Sequence, residues 1–389
     1  MTMTVRQAGK ILATKMVVEG EEIPAEYLEA FTVANDWRNL HAPAMKRIRW
    51  HVKAFMRIGA IEGDTSARLK RMPAIRDKLA RPRTNFKLDT LQDIGGCRAI
   101  LNSIADVQRL AEFVDQSDRF EVWKSDNYIV EPKLDGYRSH HLCLKVHGRR
   151  PGSSEPVKSI ELQVRTVLQH AWATAVEAVG AVRRENIKGG MGDAAWRHLF
   201  VMMSEEIAEI EGLSDGRSEQ RRREIKELDR SIGASDSLDS LAHTIQYLKT
   251  AIASSSRPTF FLLRYDAAER MVTVEPHYVD QKAFQSYYDA ELADEKSRGN
   301  DAVLVDVTEI ETVQRAFPNY FRDVGLFRET LQHIVSGKDH RNFSVRPQER
   351  SRSNRTREEP VSPGWLHTNR FEGPRPRLKG EKDKRGQKK

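Results

Sequence analysis

The sequence predicts an α+β protein, a mixed sheet flanked by helices. Three observations predict it. Between residues 88 and 185, short apolar runs alternate with amphipathic stretches in the order strand, helix, strands, strand, helix. Residues 26–60 and 194–253 carry helical spacing. Residues 258–336 return to a hairpin, a helix, a strand and further helices.

Taken in order, Leu28, Phe31, Trp37, Leu40, Met45, Ile48, Trp50 and Phe55 recur at three- and four-residue intervals, and Pro43 divides them into two helices. A further helix is expected over "ARLKRMPAIRDKLAR", despite Pro73. "LQDIGGCRAIL" reads as a strand entered through a tight turn, and "SIADVQRLAEFV" as a helix capped by Ser103. "RFEVWKSDNYIV" and "YRSHHLCLKVHG" read as strands, and "KSIELQVRTVLQHAWATAVEAV" as a strand running into a helix. "AAWRHLFVMMSEEIAEIEGL", "RSEQRRREIKELDRSIGA" and "SLDSLAHTIQYLKTAI" read as helices. "TFFLLRYDAAERMVTVEPHYV" is a hairpin turning at Asp266–Arg270, followed by the helix "QKAFQSYYDAELADEK", the strand "DAVLVDV" and helices over "TEIETVQRAF" and "VGLFRETLQHIV". These readings divide the chain into N-terminal helices (1–60), a central α+β domain (61–185), a helical region (186–254), a separate small α+β unit (255–338) and a tail (339–389).

Composition bounds the function. Hydrophobic residues make up 39% and charged residues 31%, and no run of 18 apolar residues occurs, so no membrane span is expected. The N-terminus lacks the apolar core of a secretory signal, and two cysteines give neither a disulfide framework nor a zinc site, so a cytoplasmic location is expected. The net charge of +8 is misleading as a sign of nucleic-acid binding. Residues 341–389 hold 15 Lys/Arg against 6 Asp/Glu, whereas the remainder holds 49 against 50. The whole excess lies in a Pro-, Arg- and Lys-rich tail too poor in apolar residues to offset its ordering entropy. Such a tail is expected to be disordered, either as a solubilising extension or as a loose hold on RNA or another polyanion.

Four polar clusters mark the central domain: Arg68, Lys70, Arg71 and Lys78; Asp93 with Arg98; Lys133, Tyr137, Arg138, His140 and His141; and Glu161, Gln163 and Arg165. Alternation puts the last three on one face of their strand and Leu162 and Val164 on the other. Three polar side chains on one face are costly to bury, so that face is either solvated or lines a site. A carboxylate beside a glycine turn and a second on a strand are the minimum that holds Mg²⁺ together with substrate phosphate oxygens. Nearby Lys and Arg suit polyphosphate, and a tyrosine after a glycine offers a flat face to a base. The set points to Mg²⁺-dependent chemistry on nucleoside polyphosphates.

At these clusters the chain resembles the synthetase domain of the RelA/SpoT family. "RLKRMPAIRDKL" (68–79), "DIGGCR" (93–98), "GYRSHH" (136–141) and "ELQVRT" (161–166) match four family motifs in order over roughly 100 residues, a context that gives each motif its force. One departure is Ala74, where the family motif has serine; losing that hydroxyl would weaken ATP binding by about 1 kcal/mol. The resemblance implies a nucleotidyltransferase-like mixed sheet and transfer of pyrophosphate from ATP to a ribose 3′-oxygen. It implies that Arg68 and Arg98 sandwich the adenine, Lys70 and Lys78 hold the ATP phosphates, and Asp93 and Glu161 bind Mg²⁺. It further makes Glu161 the base for the 3′-hydroxyl, Tyr137 the stacking face for the acceptor base, and Lys133, His141 and Gln163 its neighbours. His170 is a further phosphate-side candidate, whereas His140 points to the opposite face.

The chain has no His-Asp pair, so the hydrolase activity of the long family members is not expected. Its wording is most similar to the toxic small alarmone synthetases, some of which carry a C-terminal domain that restrains the toxin and senses a phage protein. That branch leaves two acceptors open. One is GDP or GTP, giving (p)ppGpp; the other is the 3′ end of tRNA, in a toxin held by its C-terminal domain or an antitoxin. A non-catalytic nucleotide-binding regulator is a third reading, against which the intact carboxylates and phosphate cations argue.

Overall fold

The computed structural model describes residues 2–343, apart from 16, 18–21, 83, 147–156, 184, 186, 188–191, 215–218, 243–245, 250–257, 270, 296–299, 308–323 and 339–342. The basic tail, apart from Phe343, and the expected helix over "TEIETVQRAF" fall outside the described residues. So does most of the stretch through which the resemblance implies a C-terminal restraint.

Two helices, α1 (Val5–Thr14) and α2 (Ala25–Asn39), precede α3 (Ala42–Ile58). Pro43 sits in the first turn of α3, where its missing N–H costs nothing. Next come β1 (Gly63–Leu69) and α4 (Met72–Leu79). The single helix expected over residues 67–81 is thus corrected: its first part is a strand. Pro73 is tolerated in the first turn of a helix but not in its middle, so the helix starts at Met72. Arg68 therefore stands on a strand, paired with Gly96.

The centre follows the sequence pattern: β2 (Gly95–Leu101), α5 (Ile104–Asp115), β3 (Glu121–Asn127), β4 (His140–Val146), β5 (Lys158–Thr166) and α6 (Val167–Arg183). Ser103 caps α5 as expected, its hydroxyl accepting from the Asp106 N–H at 3.1 Å. Three helices follow, α7 (Ala194–Ile210), α8 (Glu219–Ile232) and α9 (Ala234–Ala242). Beyond α9 the expected helical run gives way to a short strand, β6 (Gln246–Lys249), which pairs in parallel with β8. The remainder is β7 (Phe260–Asp266), β8 (Met271–His277), α10 (Asp280–Asp294), β9 (Asp301–Asp306) and α11 (Gly325–Val335).

All nine strands form one mixed sheet in the order β3-β4-β5-β2-β1-β9-β7-β8-β6. The unit expected to be separate therefore shares its sheet with the central domain. β9 pairs with β1 at Ala67↔Asp306 and Arg68↔Val305. The core crosses the junction too: Leu69, Ala99, Leu162 and Leu144 share one apolar cluster with Phe260, Leu262, Leu304 and Tyr287. The helices α3, α5 and α10 contribute to that cluster. A second cluster joins α6, α7 and α11 and takes in Tyr137. Among the described residues no helix is long and apolar enough to cross a membrane.

Two polar contacts pin the assembly. Arg49 of α3 meets Asp306 of β9 at 2.7 Å, both largely buried. Asp306→Ala would remove the carboxylate from a largely buried ion pair, and should cost about 3 kcal/mol. Urea unfolding followed by tryptophan emission measures it, and a loss below about 1 kcal/mol would show that the Thr65 carbonyl, which Arg49 also approaches, suffices as its partner.

Glu211, which ends α7, accepts from the Thr166 hydroxyl and from Gln169 Nε2, joining α7 to the β5–α6 junction. Burial raises its carboxyl to about 7, against the lowering by these hydrogen bonds and by Arg138. A carboxyl raised on folding binds its proton more tightly in the folded state, so its contribution is complete below its unfolded pKa and is lost as pH rises through about 7. Glu211→Gln removes this titration. The stability difference between variant and parent should move in the variant's favour from pH 5 to pH 8, approximate settings that bracket the titration. A pH-independent difference in urea midpoints would refute this.

Candidate active site

Strand alternation and register assemble one polar sheet face. Arg68 on β1 lies opposite Gly96 on β2, which lies opposite Glu161 on β5, which lies opposite Cys143 on β4. One step along, Ser66, Arg98, Gln163 and His141 form the next row. Residues between these rows, such as Ala67, Cys97, Leu162 and Leu142, enter the core. The Glu161–Gln163–Arg165 face is therefore half-buried to buried, which speaks for a lining over a freely solvated face, the two alternatives left by the sequence.

Gly96 shapes the floor. A Cβ built there would meet nothing closer than the Arg68 carbonyl oxygen at 3.8 Å and the Glu161 carbonyl oxygen at 4.0 Å. The sheet thus leaves an open patch between Arg68 and Glu161. On one side of it stands Asp93, just before β2. Its Oδ2 receives Lys70 Nζ at 2.8 Å and Lys78 Nζ at 2.9 Å, while its Oδ1 is buried without a hydrogen-bond partner. Burial alone would raise the Asp93 carboxyl, but the two ammonium groups outweigh it and hold Asp93 below the usual range. On the other side, Glu161 Oε1 receives His141 Nδ1 at 3.1 Å and Oε2 receives Gln163 Nε2 at 2.8 Å. Burial opposes its ionisation, yet His141 and Gln163 hold its carboxyl below the usual value even though Asp93 is close enough to push it up. Both carboxylates are thus ionised near neutral pH.

The structure brings together Arg68, Lys70, Lys78, Asp93, Arg98, His141, Glu161 and Gln163, as expected from the sequence. It adds Arg165, which the sequence placed on this face without a role. Arg165 is buried, hydrogen-bonds Tyr137 and His170, and lies close enough to Arg98 to depress its pKa together with burial and Arg68. Three guanidinium groups therefore converge on the face, which attracts an anion. His170, a phosphate-side candidate in the sequence, is instead buried against Arg165.

Tyr137 takes a different form from the open stacking face expected of it. Its ring is 7% exposed and lies among Tyr128, His141 and Trp172, with ring centres 6.3, 5.6 and 6.4 Å away. Its hydroxyl meets His141 Nε2 at 2.9 Å, completing a chain Tyr137–His141–Glu161. The loop before it explains the burial. Gly136 turns at φ +88°, and its carbonyl accepts from the Ser204 hydroxyl at 2.6 Å, so the loop is fastened to α7. Asp135 accepts from the Tyr137 N–H at 3.0 Å and Arg138 donates to Ser204 and to the Ile129 carbonyl. His140 pairs with the Ser125 hydroxyl at 2.9 Å. These polar residues hold the loop and β3. Lys133 is exposed, its ammonium 4.4 Å from the Tyr128 ring centre and 5.1 Å from that of Tyr137. Beyond Tyr137 lies a cleft of about 810 Å³ lined by Lys133, Tyr137, Trp172, Ile187, Arg197 and His198, among others.

Asp93 Oδ1, buried, charged and unpartnered, fits a hard cation, and the carboxylate of Glu161 suits the same ion. Among the described residues no three His, Cys, Asp or Glu side chains gather as a metal cage. A cation here would take its remaining ligands from substrate and water, as Mg²⁺ commonly does.

Comparison with known proteins adds the family. Residues 67–181 match the family model described as a region found in RelA/SpoT proteins. GTP pyrophosphokinase YjbM of Bacillus subtilis (strain 168) is 27% identical over 193 residues, which span 45% of this chain and 89% of that protein. GTP pyrophosphokinase YwaC of the same organism is 32% identical over 114 residues, 28% of this chain and 54% of that protein. Among solved structures, the small alarmone synthetase 1 of Bacillus subtilis bound to its product pppGpp aligns over 46% of this chain and 92% of its own, at 22% identity and a TM-score of 0.40. Apart from Ser66, the residues named on the polar sheet face fall within the matched segment, so the face lies in the part of this chain that is similar to RelA/SpoT proteins.

Proposed function

We propose that this chain is a Mg²⁺-dependent pyrophosphokinase that transfers pyrophosphate from ATP to the ribose 3′-oxygen of GDP or GTP, giving (p)ppGpp. The observation that carries the reading is the pair of carboxylates on either side of the Gly96 floor, Asp93 bonded to Lys70 and Lys78, and Glu161 across the open patch from Arg68. The curated relatives YjbM and YwaC, both named GTP pyrophosphokinases, support the guanine nucleotide as acceptor.

In this reading Lys70 and Lys78 exchange Asp93 for ATP phosphate oxygens, and Arg68 and Arg98 flank the adenine. Asp93 and Glu161 would hold Mg²⁺, which when bound neutralises phosphate charge and aligns the reacting oxygens. Glu161 accepts the proton of the 3′-hydroxyl as that oxygen forms its bond to the β-phosphorus of ATP. The bond from that phosphorus to the α,β-bridging oxygen breaks, and AMP leaves with the electron pair. His141 and Gln163 fix the two oxygens of Glu161, so its orientation is set before substrate arrives. The acceptor enters from the cleft side, past Lys133 and the Tyr137 hydroxyl.

Purified protein incubated with Mg²⁺, γ-labelled ATP and GDP, GTP or bulk tRNA tests the reading. Label is expected in the guanine nucleotide. Label in the tRNA instead would replace the acceptor while keeping the chemistry, and no transfer to either would sink the proposal. Glu161→Gln should lower transfer by at least about 100-fold, the scale of a lost general base, with an unchanged circular dichroism spectrum. Near-normal turnover in that variant would remove Glu161 from its role.

A further inference from the structure

The helix that carries Lys78 has no cap of its own. Its N-cap residue is Arg71, which offers no side-chain acceptor, and Pro73 follows in the first turn. The free N–H of Met72 is satisfied instead by Glu291 of α10, whose Oε1 accepts from it at 2.8 Å. Oε2 of the same carboxylate meets Arg38 Nη1 at 2.6 Å, with the two side chains 3% and 0% exposed. Arg38 in turn donates to the Lys70 carbonyl at 3.2 Å and to Asn35 Oδ1 at 2.7 Å, and its guanidinium lies 4.3 Å from the Tyr287 ring centre. The backbone on both sides of Arg71 is thus held by one buried ion pair.

Neighbouring contacts repeat the pattern. Arg71 pairs with Asp301 of β9, and Arg76 with Glu295, which also accepts from the Tyr27 hydroxyl. The first polar cluster therefore has two sides. Lys70 and Lys78 face Asp93. The Met72 N–H and the Arg71 and Arg76 side chains face acids from α10, β9 and the residue after α10, while the Lys70 carbonyl accepts from Arg38.

We propose that Glu291 is a positioning residue for ATP, fixing through Met72 and Arg38 the segment that aims Lys70 and Lys78 at the phosphates. The C-terminal unit is then part of what makes the ATP site. The inference rests on the proposed reading that this face binds ATP. A displaced segment weakens ATP binding and leaves acceptor binding alone, since the acceptor side rests on the loop held by Ser204. A merely structural role would reduce the amount of folded enzyme, lowering apparent kcat with an unchanged KM for ATP.

The test uses the full chain. Binding of a non-hydrolysable ATP analogue is measured by calorimetry, and KM for ATP and for GDP by transfer assay, in the parent and in Glu291→Gln. The substitution keeps a carbonyl oxygen for the Met72 N–H but removes the charge that holds Arg38. Analogue Kd and KM for ATP should rise about tenfold, with KM for GDP within about twofold. A second variant, Arg38→Met with Glu291→Met, replaces the buried pair by apolar side chains of similar size, a change that commonly preserves folding. It should show the same selective loss. Parental affinity for the analogue in either folded variant would overturn the proposal. So would loss of the folded state in both, because Glu291 would then hold the fold and not the site. Failure of the parent itself to bind the analogue would instead strike the proposed function.

Discussion

The parallel pairing of β5 with β2 is the constraint on which the rest depends. It sets Glu161 beside Gly96 and Gln163 beside Arg98 in a fixed register. Because side chains alternate, the same register sends Leu162 and Val164 into the core beside Cys97 and Ala99. A slip of one residue would bury Glu161 and expose Leu162. The apolar cluster therefore enforces the site geometry without touching a ligand, and burial on one face keeps the charges of the other in place.

That charge is balanced before any substrate arrives. Asp93 lies between two lysines and Glu161 between a histidine and a glutamine. In the proposed reading the lysines exchange Asp93 for phosphate and Asp93 gains a metal ion, while Glu161 keeps His141 and Gln163. Such exchange avoids leaving a charge buried and alone, the costliest outcome in a partly dry site. The three converging arginines are offset in part by Glu177, and an anionic ligand would complete the compensation.

Much of this was legible in the sequence. The helices around Pro43, the cap at Ser103 and the alternation along "ELQVR" are local signals, and local physics decided them. What escaped was non-local. The stretch from Ala67 to Arg81 suggests one helix, while pairing with β2 draws residues 63–69 into the sheet. The order of elements along residues 255–338 suggests a separate unit, and that order carries no information about the edge where β9 finds β1. Tyr137 after a glycine suggests a flat face for a base, because neither Ser204 nor Trp172, distant in sequence, announces that it will close over the loop. Asp135 and His140, crowded beside the glycine turn, have local hydrogen-bonding duties that a motif does not display.

The bare floor at Gly96 has a consequence for chemical control of the site. Nothing in the protein occupies the position of its missing side chain, so a methyl group placed there collides only with whatever binds. Gly96→Ala is thus a bump facing the ligand and not the fold. A ligand seated against this floor would lose affinity to the methyl group, while the sheet beneath keeps its packing. The smallest residue on the sheet face thereby separates two demands on one strand, since a single methyl group there tests ligand contact without testing folding.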